Sequence, residues 1–299
     1  MIPVAFDPIY VLPLPENHRF PMEKYELLPK QLIHEGTCDA NDFFSPSRIP
    51  DSAVTAIHQI DYVKYLKAQK LDKSAIRKIG FPVSQQLIDR EFIIAGGTVT
   101  GALKALEGGI AFNIAGGTHH AYSTHGEAFC LLNDQAIAAR YLLNSQLAKK
   151  ILIIDLDVHQ GNGTAEIFQK ENKVFTFSMH GKKNYPFKKE KSDWDIGLED
   201  KTNDDVYLET LEKALSKLFS KVAPDFIFFL AGVDVLETDR LGRLGMSIRG
   251  CKERDQMVLE YCHKRSIPVQ CSMGGGYSKD IKLIIEAHAN TYRVAQNIY

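Results

Sequence analysis

Short, wholly apolar runs alternate along this chain with longer segments whose apolar positions recur at helical spacing. The clearest run is Ile151 to Ile154, which opens a central strand over Ile151–Val158 buried on both faces. Pro224-Asp-Phe-Ile-Phe-Phe-Leu230 reads as a second such strand. Ile110–Ala115, Lys173–Ser178 and Pro268–Ser272 read as further strands, and residues 2–6 as a short first one. Helices are expected over Asp61–Lys67, Arg90–Leu106, Asn133–Leu147, Thr164–Lys170, Val206–Val222, Asp255–Lys264 and Ile281–Ile298. Gly96-Gly97 weakens the second of these, and Gly108-Gly109 ends it. Pro13–Pro29 and Gly181–Asp204 read as loops. Alternating helices and doubly buried strands predict an α/β fold: a central parallel β-sheet with helices on both faces. No linker and no internal repeat interrupts residues 1–299, so a single domain is expected.

Composition narrows the classes of function. The chain has 299 residues, 44% hydrophobic and 24% charged, with a net charge of −1. No global field favours nucleic acid or an anionic membrane, so neither is expected as a partner. Five scattered cysteines without a CxxC pair suggest a reducing compartment. Met1-Ile-Pro-Val-Ala-Phe lacks the basic start of a signal peptide, and no apolar run is long enough to span a bilayer. A cytoplasmic location is expected.

Chemistry gathers where strands end. After Ile154 the chain places Asp155, Asp157 and His159 at a spacing of two, which in a strand puts all three on one face. Such a strand end can simply meet solvent, but two buried carboxylates need a cation or hydrogen-bond donors. A divalent metal meets that need. Three other strands run into Gly116-Gly-Thr-His119-His120, Ala231-Gly-Val-Asp234 and Gly274-Gly-Gly276-Tyr277. Ligands of open parallel sheets bind beyond the carboxyl ends of the strands, so one site should receive all four. Asp157, His159 and Asp234 make a catalytic zinc set with an open position, tolerant of Fe²⁺ or Co²⁺. His119 and His120 suit the base and acid that water activation and amine release require. Asp155 is placed to orient one histidine and Asn162 the other. A Tyr277 hydroxyl, on a glycine-rich approach, suits an oxyanion donor.

These residues resemble the histone deacetylase family of the arginase/deacetylase superfamily. The resemblance rests on Gly116-Gly-Thr-His-His120, Phe129-Cys-Leu-Leu-Asn-Asp134, Asp155-Leu-Asp-Val-His-Gln-Gly-Asn-Gly163, Ala231-Gly-Val-Asp234 and Gly274-Gly-Gly-Tyr277, in the family's order. His159-Gln-Gly-Asn-Gly163 and Gly232 to Leu241 are most similar to the class IV deacetylases and their bacterial relatives. The resemblance implies one zinc on Asp157, His159 and Asp234, with His120 as general base and acid, His119 assisting, and Tyr277 polarising the carbonyl. It implies a channel for an acyl-lysine stem walled by Phe129, with Tyr185 as the second wall and Gly275 among the substrate-binding residues. It also implies a structural potassium ion near Asp155, taking oxygens from Asp155, Asp157, His159, Ser178 and Met179. Asn162 departs from the class I pattern, where an aspartate pairs with the second histidine. The expected substrate is an acyl-lysine protein or peptide, or alternatively a small acylated amine such as an acetylated polyamine.

Two other readings carry less. A two-metal ureohydrolase needs a bridging carboxylate, but Gln160 and Gly161 follow His159, and Gly232 and Leu236 flank Asp234. A non-catalytic scaffold would not need a competent residue type at every chemical position. The loop Gly181–Lys191 carries Lys182, Lys183, Lys188, Lys189 and Lys191 against Glu190. If it flanks the channel mouth, polybasic substrates meet like charge on approach.

Overall fold

The computed structural model describes residues 2–299; Met1, the first residue of the N-terminal stretch read above, lies outside it. Eight strands form one sheet: β1 (Val4–Ala5), β2 (Phe43–Phe44), β3 (Ile110–Asn113), β4 (Ile151–Asp155), β5 (Val174–Gly181), β6 (Trp194–Leu198), β7 (Phe226–Leu230) and β8 (Val269–Ser272). Their order is β2-β1-β3-β8-β7-β4-β5-β6, and every pairing is parallel. All residues of β3, β4, β7 and β8 are buried, as a sheet covered on both faces requires. Successive residues of β3 reach opposite layers. Phe112 stacks on Tyr292 of the C-terminal helix Ile281–Ile298, while the Asn113 amide donates to the Ile94 carbonyl of helix Gln85–Gly108. The single-domain parallel α/β architecture is therefore the one expected.

Several boundaries differ from the sequence reading, each for a physical reason. Helix Lys24–His34 occupies part of the Pro13–Pro29 stretch, with Pro29 in its interior. The lost backbone bond is outweighed by burial of Leu28 and Leu32 on its inner face. β6 lies within the expected loop Gly181–Asp204; it is an edge strand, half exposed and paired only to β5, so it lacks an apolar run. The helix expected from Asp255 begins at Ile248, where the Ser247 hydroxyl caps the Gly250 N–H at 3.0 Å. The central strand stops at Asp155, three residues short of Val158. There the Asp155 carboxylate accepts the Asp157 N–H at 3.1 Å and turns the chain out of the ladder. Asp157 and His159 thus do not share a strand face with Asp155; the turn delivers them.

Gly96-Gly97 does not break its helix, which runs unbroken from Gln85 to Gly108. These glycines are there for close approach, since a Cβ on Gly96 would sit 2.0 Å from the Ser47 carbonyl oxygen. Gly96→Ala should therefore destabilise the fold by roughly 1–3 kcal/mol despite alanine's better helix propensity. Equilibrium denaturation measures it, and an unchanged or higher midpoint would contradict this packing.

Candidate active site

The residues beyond the carboxyl ends of β3, β8, β7 and β4 converge, and these four strands are consecutive neighbours in the sheet. β4 leads to Asp157 and His159, and β7 to Asp234. Oxygens of the two carboxylates and a nitrogen of the imidazole lie within 4.8 Å of one another, all buried. His159 Nδ1 is 3.0 Å from both Asp157 Oδ1 and Asp234 Oδ2. The remaining carboxylate oxygens are held by backbone donors: Gly275 N–H to Asp157 Oδ2 at 2.8 Å and Val158 N–H to Asp234 Oδ1 at 2.9 Å.

The donor set fits a cation. Burial alone would push the His159 imidazole down, but its hydrogen bonds to Asp157 and Asp234 outweigh burial and hold it at about 10. Burial and the neighbouring Asp157 push Asp234 up to about 7. An imidazolium thus compensates two buried carboxylates, and one small divalent ion on the same atoms fits the donor set better.

β3 delivers the histidine pair, whose rings stand 4.1 Å apart. His119 Nδ1 is 2.6 Å from Asp155 Oδ2, and His120 Nδ1 is 2.6 Å from Asn162 Oδ1. The two orienting partners expected from the sequence are in place. Burial pushes His119 down, but the Asp155 and Asp157 carboxylates outweigh it and hold the imidazole at about 8. Burial, aided by His119 and His159, pushes His120 well below the usual histidine range, so it is neutral. The neighbours have thereby driven the two titrations apart, as acid–base sites require.

Beyond β8, the Tyr277 ring meets His159 edge-on at 6.4 Å. Burial and then the Asp157 and Asp234 charges push its hydroxyl well above the usual range, so it remains a donor. A cavity of about 570 Å³ contains His119, His120, Asp157, His159 and Tyr277, with Phe129 and Tyr185 in its wall. The Tyr185 ring stands 5.1 Å from His120, and its hydroxyl donates to Glu127. Gly275 lines the cavity too, but its N–H serves Asp157 and its carbonyl accepts from Val233. A Cβ there would come 2.1 Å from Asp234 Oδ2, so the bare backbone is what lets it close on the carboxylates. Asp155 and Ser178 are register partners in β4 and β5, with Met179 next along. The lysine-rich loop does reach the cavity, through Lys183, Tyr185 and Phe187. Lys189, however, turns inward to the carbonyls of Asn184 and Pro186.

Four residues escaped the sequence reading. Asp239 accepts the N–H groups of Leu241, Gly242 and Tyr277 and so fixes the tyrosine's backbone. Arg254, wholly buried, donates to the carbonyls of Leu156 and Gly232, binding together the turns that carry Asp157 and Asp234. Glu127 accepts from the Asn162 amide at 2.7 Å. Lys24 donates to the Gly274 carbonyl at 3.1 Å and lies over the Tyr277 ring. Lys24 sits in a stretch that reads as loop, Asp239 lies within the Gly232–Leu241 stretch without a role assigned to it, and no spacing marks Glu127 or Arg254.

A parallel sheet in this order, with its site at the strand ends, is the arginase/deacetylase-like fold. A solved histone deacetylase homologue, complexed with SAHA, superposes with a TM-score of 0.85 over 100% of this chain and 84% of its own, at 24% identity. The homologue from Aquifex aeolicus gives 0.82 over 97% and 82%, also at 24% identity. The histone deacetylase domain profile matches residues 18–292. Histone deacetylase 2 of Arabidopsis thaliana is 28% identical over 90% of this chain and 72% of its own length. An uncharacterised protein of Picosynechococcus is 45% identical over 99% of both. The chain belongs to the histone deacetylase family, and with that membership comes its class, a hydrolase of the deacetylase type. No helix among the described residues is long and apolar enough to cross a membrane.

Lys24 gives this site a signature in stability. Burial lowers its pKa from 10.5 to about 8, opposed by Asp234 and Asp157. The folded value lies below the unfolded one, so between these pH values the unfolded chain binds more protons and folding stability rises with pH. Denaturation of wild type and Lys24→Met across that window should show wild type gaining on the variant as pH rises from about 8 to 10.5. Parallel pH curves would mean that Lys24 is not buried as a charge.

Proposed function

We propose that this protein hydrolyses the amide of an acyl-lysine side chain, using one divalent cation, zinc or alternatively Fe²⁺, on Asp157, His159 and Asp234. The observation that carries this reading is the histidine pair, each ring oriented through Nδ1 by Asp155 or Asn162 over the cavity that Asp157 and His159 line, with Asp234 bonded to His159. When bound, the cation supplies a Lewis acid for water and for the acyl carbonyl. His120, donating from Nδ1 to Asn162, leaves Nε2 as the acceptor that takes the water proton and returns it to the departing amine. His119, protonated beside Asp155, contributes positive charge. The Tyr277 hydroxyl donates to the carbonyl oxygen as it becomes an oxyanion. Phe129 and Tyr185 flank the lysine stem. Asn162 raises the basicity of His120 less than an aspartate would, which slows the reaction without changing its type. Oxygens of Asp155, Asp157, His159, Ser178 and Met179 suit a structural potassium ion. The motif His159-Gln-Gly-Asn-Gly163 supports a class IV type, and the free cysteines suit the cytoplasm.

Deacylation of small amines such as acetylated polyamines is the second reading. The cavity is bordered by the exposed cations Arg19, Lys78 and Arg240, and by Lys183 and Arg243, which share Asp200; the excess of positive charge favours a neutral or acidic peptide over a polyamine. A panel of acyl-lysine peptides with acidic, neutral or basic flanks, and acetylated polyamines, tests this with and without a hydroxamate chelator. Chelator-sensitive hydrolysis should favour acidic flanks, with the preference shrinking as salt rises. Turnover of the polyamines alone would transfer the assignment to the second reading.

The metal and the tyrosine separate cleanly. Tyr277→Phe should keep one metal per chain and lose about 10²-fold in kcat with KM little changed. Asp234→Ala should lose the metal by elemental analysis. Two metals per chain in wild type, or full activity in the phenylalanine variant, would overturn these roles.

A further inference from the structure

Every second partner of the histidine pair is accounted for except that of Asn162, and it leads to a residue outside the motifs. The amide of Asn162 is fully buried, with Oδ1 at His120 Nδ1. Its Nδ2 donates to Glu127 Oε1 at 2.7 Å and to the Tyr122 hydroxyl at 3.1 Å. The same Glu127 oxygen accepts the Tyr185 hydroxyl at 2.5 Å, and the other lies 3.7 Å from His125 Nε2.

An asparagine amide can be turned end for end at little cost unless its partners tell oxygen from nitrogen. A histidine nitrogen can donate or accept and does not discriminate; the Tyr122 hydroxyl, whose one hydrogen also reaches Glu190 Oε1 at 3.2 Å, favours an incoming N–H but can be turned. An ionised carboxylate only accepts and does discriminate. Donors from His125, Tyr185 and Asn162 hold Glu127 below the usual glutamate range against the opposing effect of burial, so it is ionised. Its charge therefore turns Nδ2 outward and Oδ1 toward His120. That oxygen then requires a hydrogen on His120 Nδ1, which leaves Nε2 unprotonated toward the cavity.

We propose that Glu127 is a positioning residue that acts through Asn162: its carboxylate fixes the amide and thereby the tautomer of His120, and its bond to Tyr185 ties the cavity wall to the same unit. This rests on the role given to His120 above. It places the negative charge one residue further out than a direct histidine–aspartate pair, with the amide as the connecting dipole.

The test is a charge exchange. Asn162→Asp alone sets two carboxylates at the 2.7 Å contact and should lower both kcat and the melting temperature. Glu127→Gln alone keeps an acceptor but loses the charge, and should cost roughly tenfold in kcat with KM little changed. Combining the two restores one carboxylate and one amide in reversed order. The double variant should exceed Asn162→Asp in both kcat and melting temperature, and histidine ¹⁵N shifts should report the Nδ1–H tautomer of His120 in wild type and in the double variant. A double variant no better than Asn162→Asp, or wild-type shifts showing the Nε2–H tautomer, overturns the proposal. If wild type hydrolyses no acyl-lysine peptide, the functional reading fails instead. The melting temperatures and ¹⁵N shifts still decide the role of Glu127, because neither depends on turnover.

Discussion

Two carboxylates buried side by side set the terms for this structure. Asp157 and Asp234 leave the ends of adjacent strands and meet at His159, out of reach of bulk water. Unpaired buried charge is strongly unfavourable. The surrounding backbone answers it atom by atom, with Gly275 and Val158 supplying N–H groups to the oxygens that His159 does not reach. What remains is a concentration of negative charge at one point, which a cation held by Asp157, His159 and Asp234 would offset.

The arrangement is rigid because its supports are buried as well. Arg254 joins the Leu156 and Gly232 carbonyls, and through Asp255 it is bonded to Thr291 of the C-terminal helix. Two turns from different strands are thus set against one guanidinium, and their spacing is set with them. Asp239 does the same for the segment carrying Tyr277. Sites held by packed, buried supports that are themselves bonded keep their geometry without relying on a ligand.

The histidine pair shows how environment divides labour between identical side chains. His119 faces Asp155 and keeps a proton near neutral pH, whereas His120 faces a neutral amide and does not. Adjacent in sequence, they differ in what the fold sets around them: Asp155 and Asp157 beside His119, and a neutral amide with the cationic His119 and His159 beside His120.

The sequence by itself determined the order of the central strands and of the helices between them, and the strand ends at which chemistry collects. Apolar runs such as Ile151–Ile154 have no alternative to burial, and glycines and ionisable residues punctuate them at positions that a parallel sheet brings together. That Asp155 would orient one histidine and Asn162 the other was legible for the same reason; which goes with which was set by the fold. Tertiary structure alone decided the rest. β6 and helix Lys24–His34 exist because neighbours pair or bury them, not because their own residues prefer it. Gly96 permits a contact with Ser47, 49 positions away, instead of breaking a helix. Lys24, Glu127, Asp239 and Arg254 carry no local pattern, because hydrogen bonds between distant segments leave no periodicity in the chain. Their partners are chosen only when the strand ends have met.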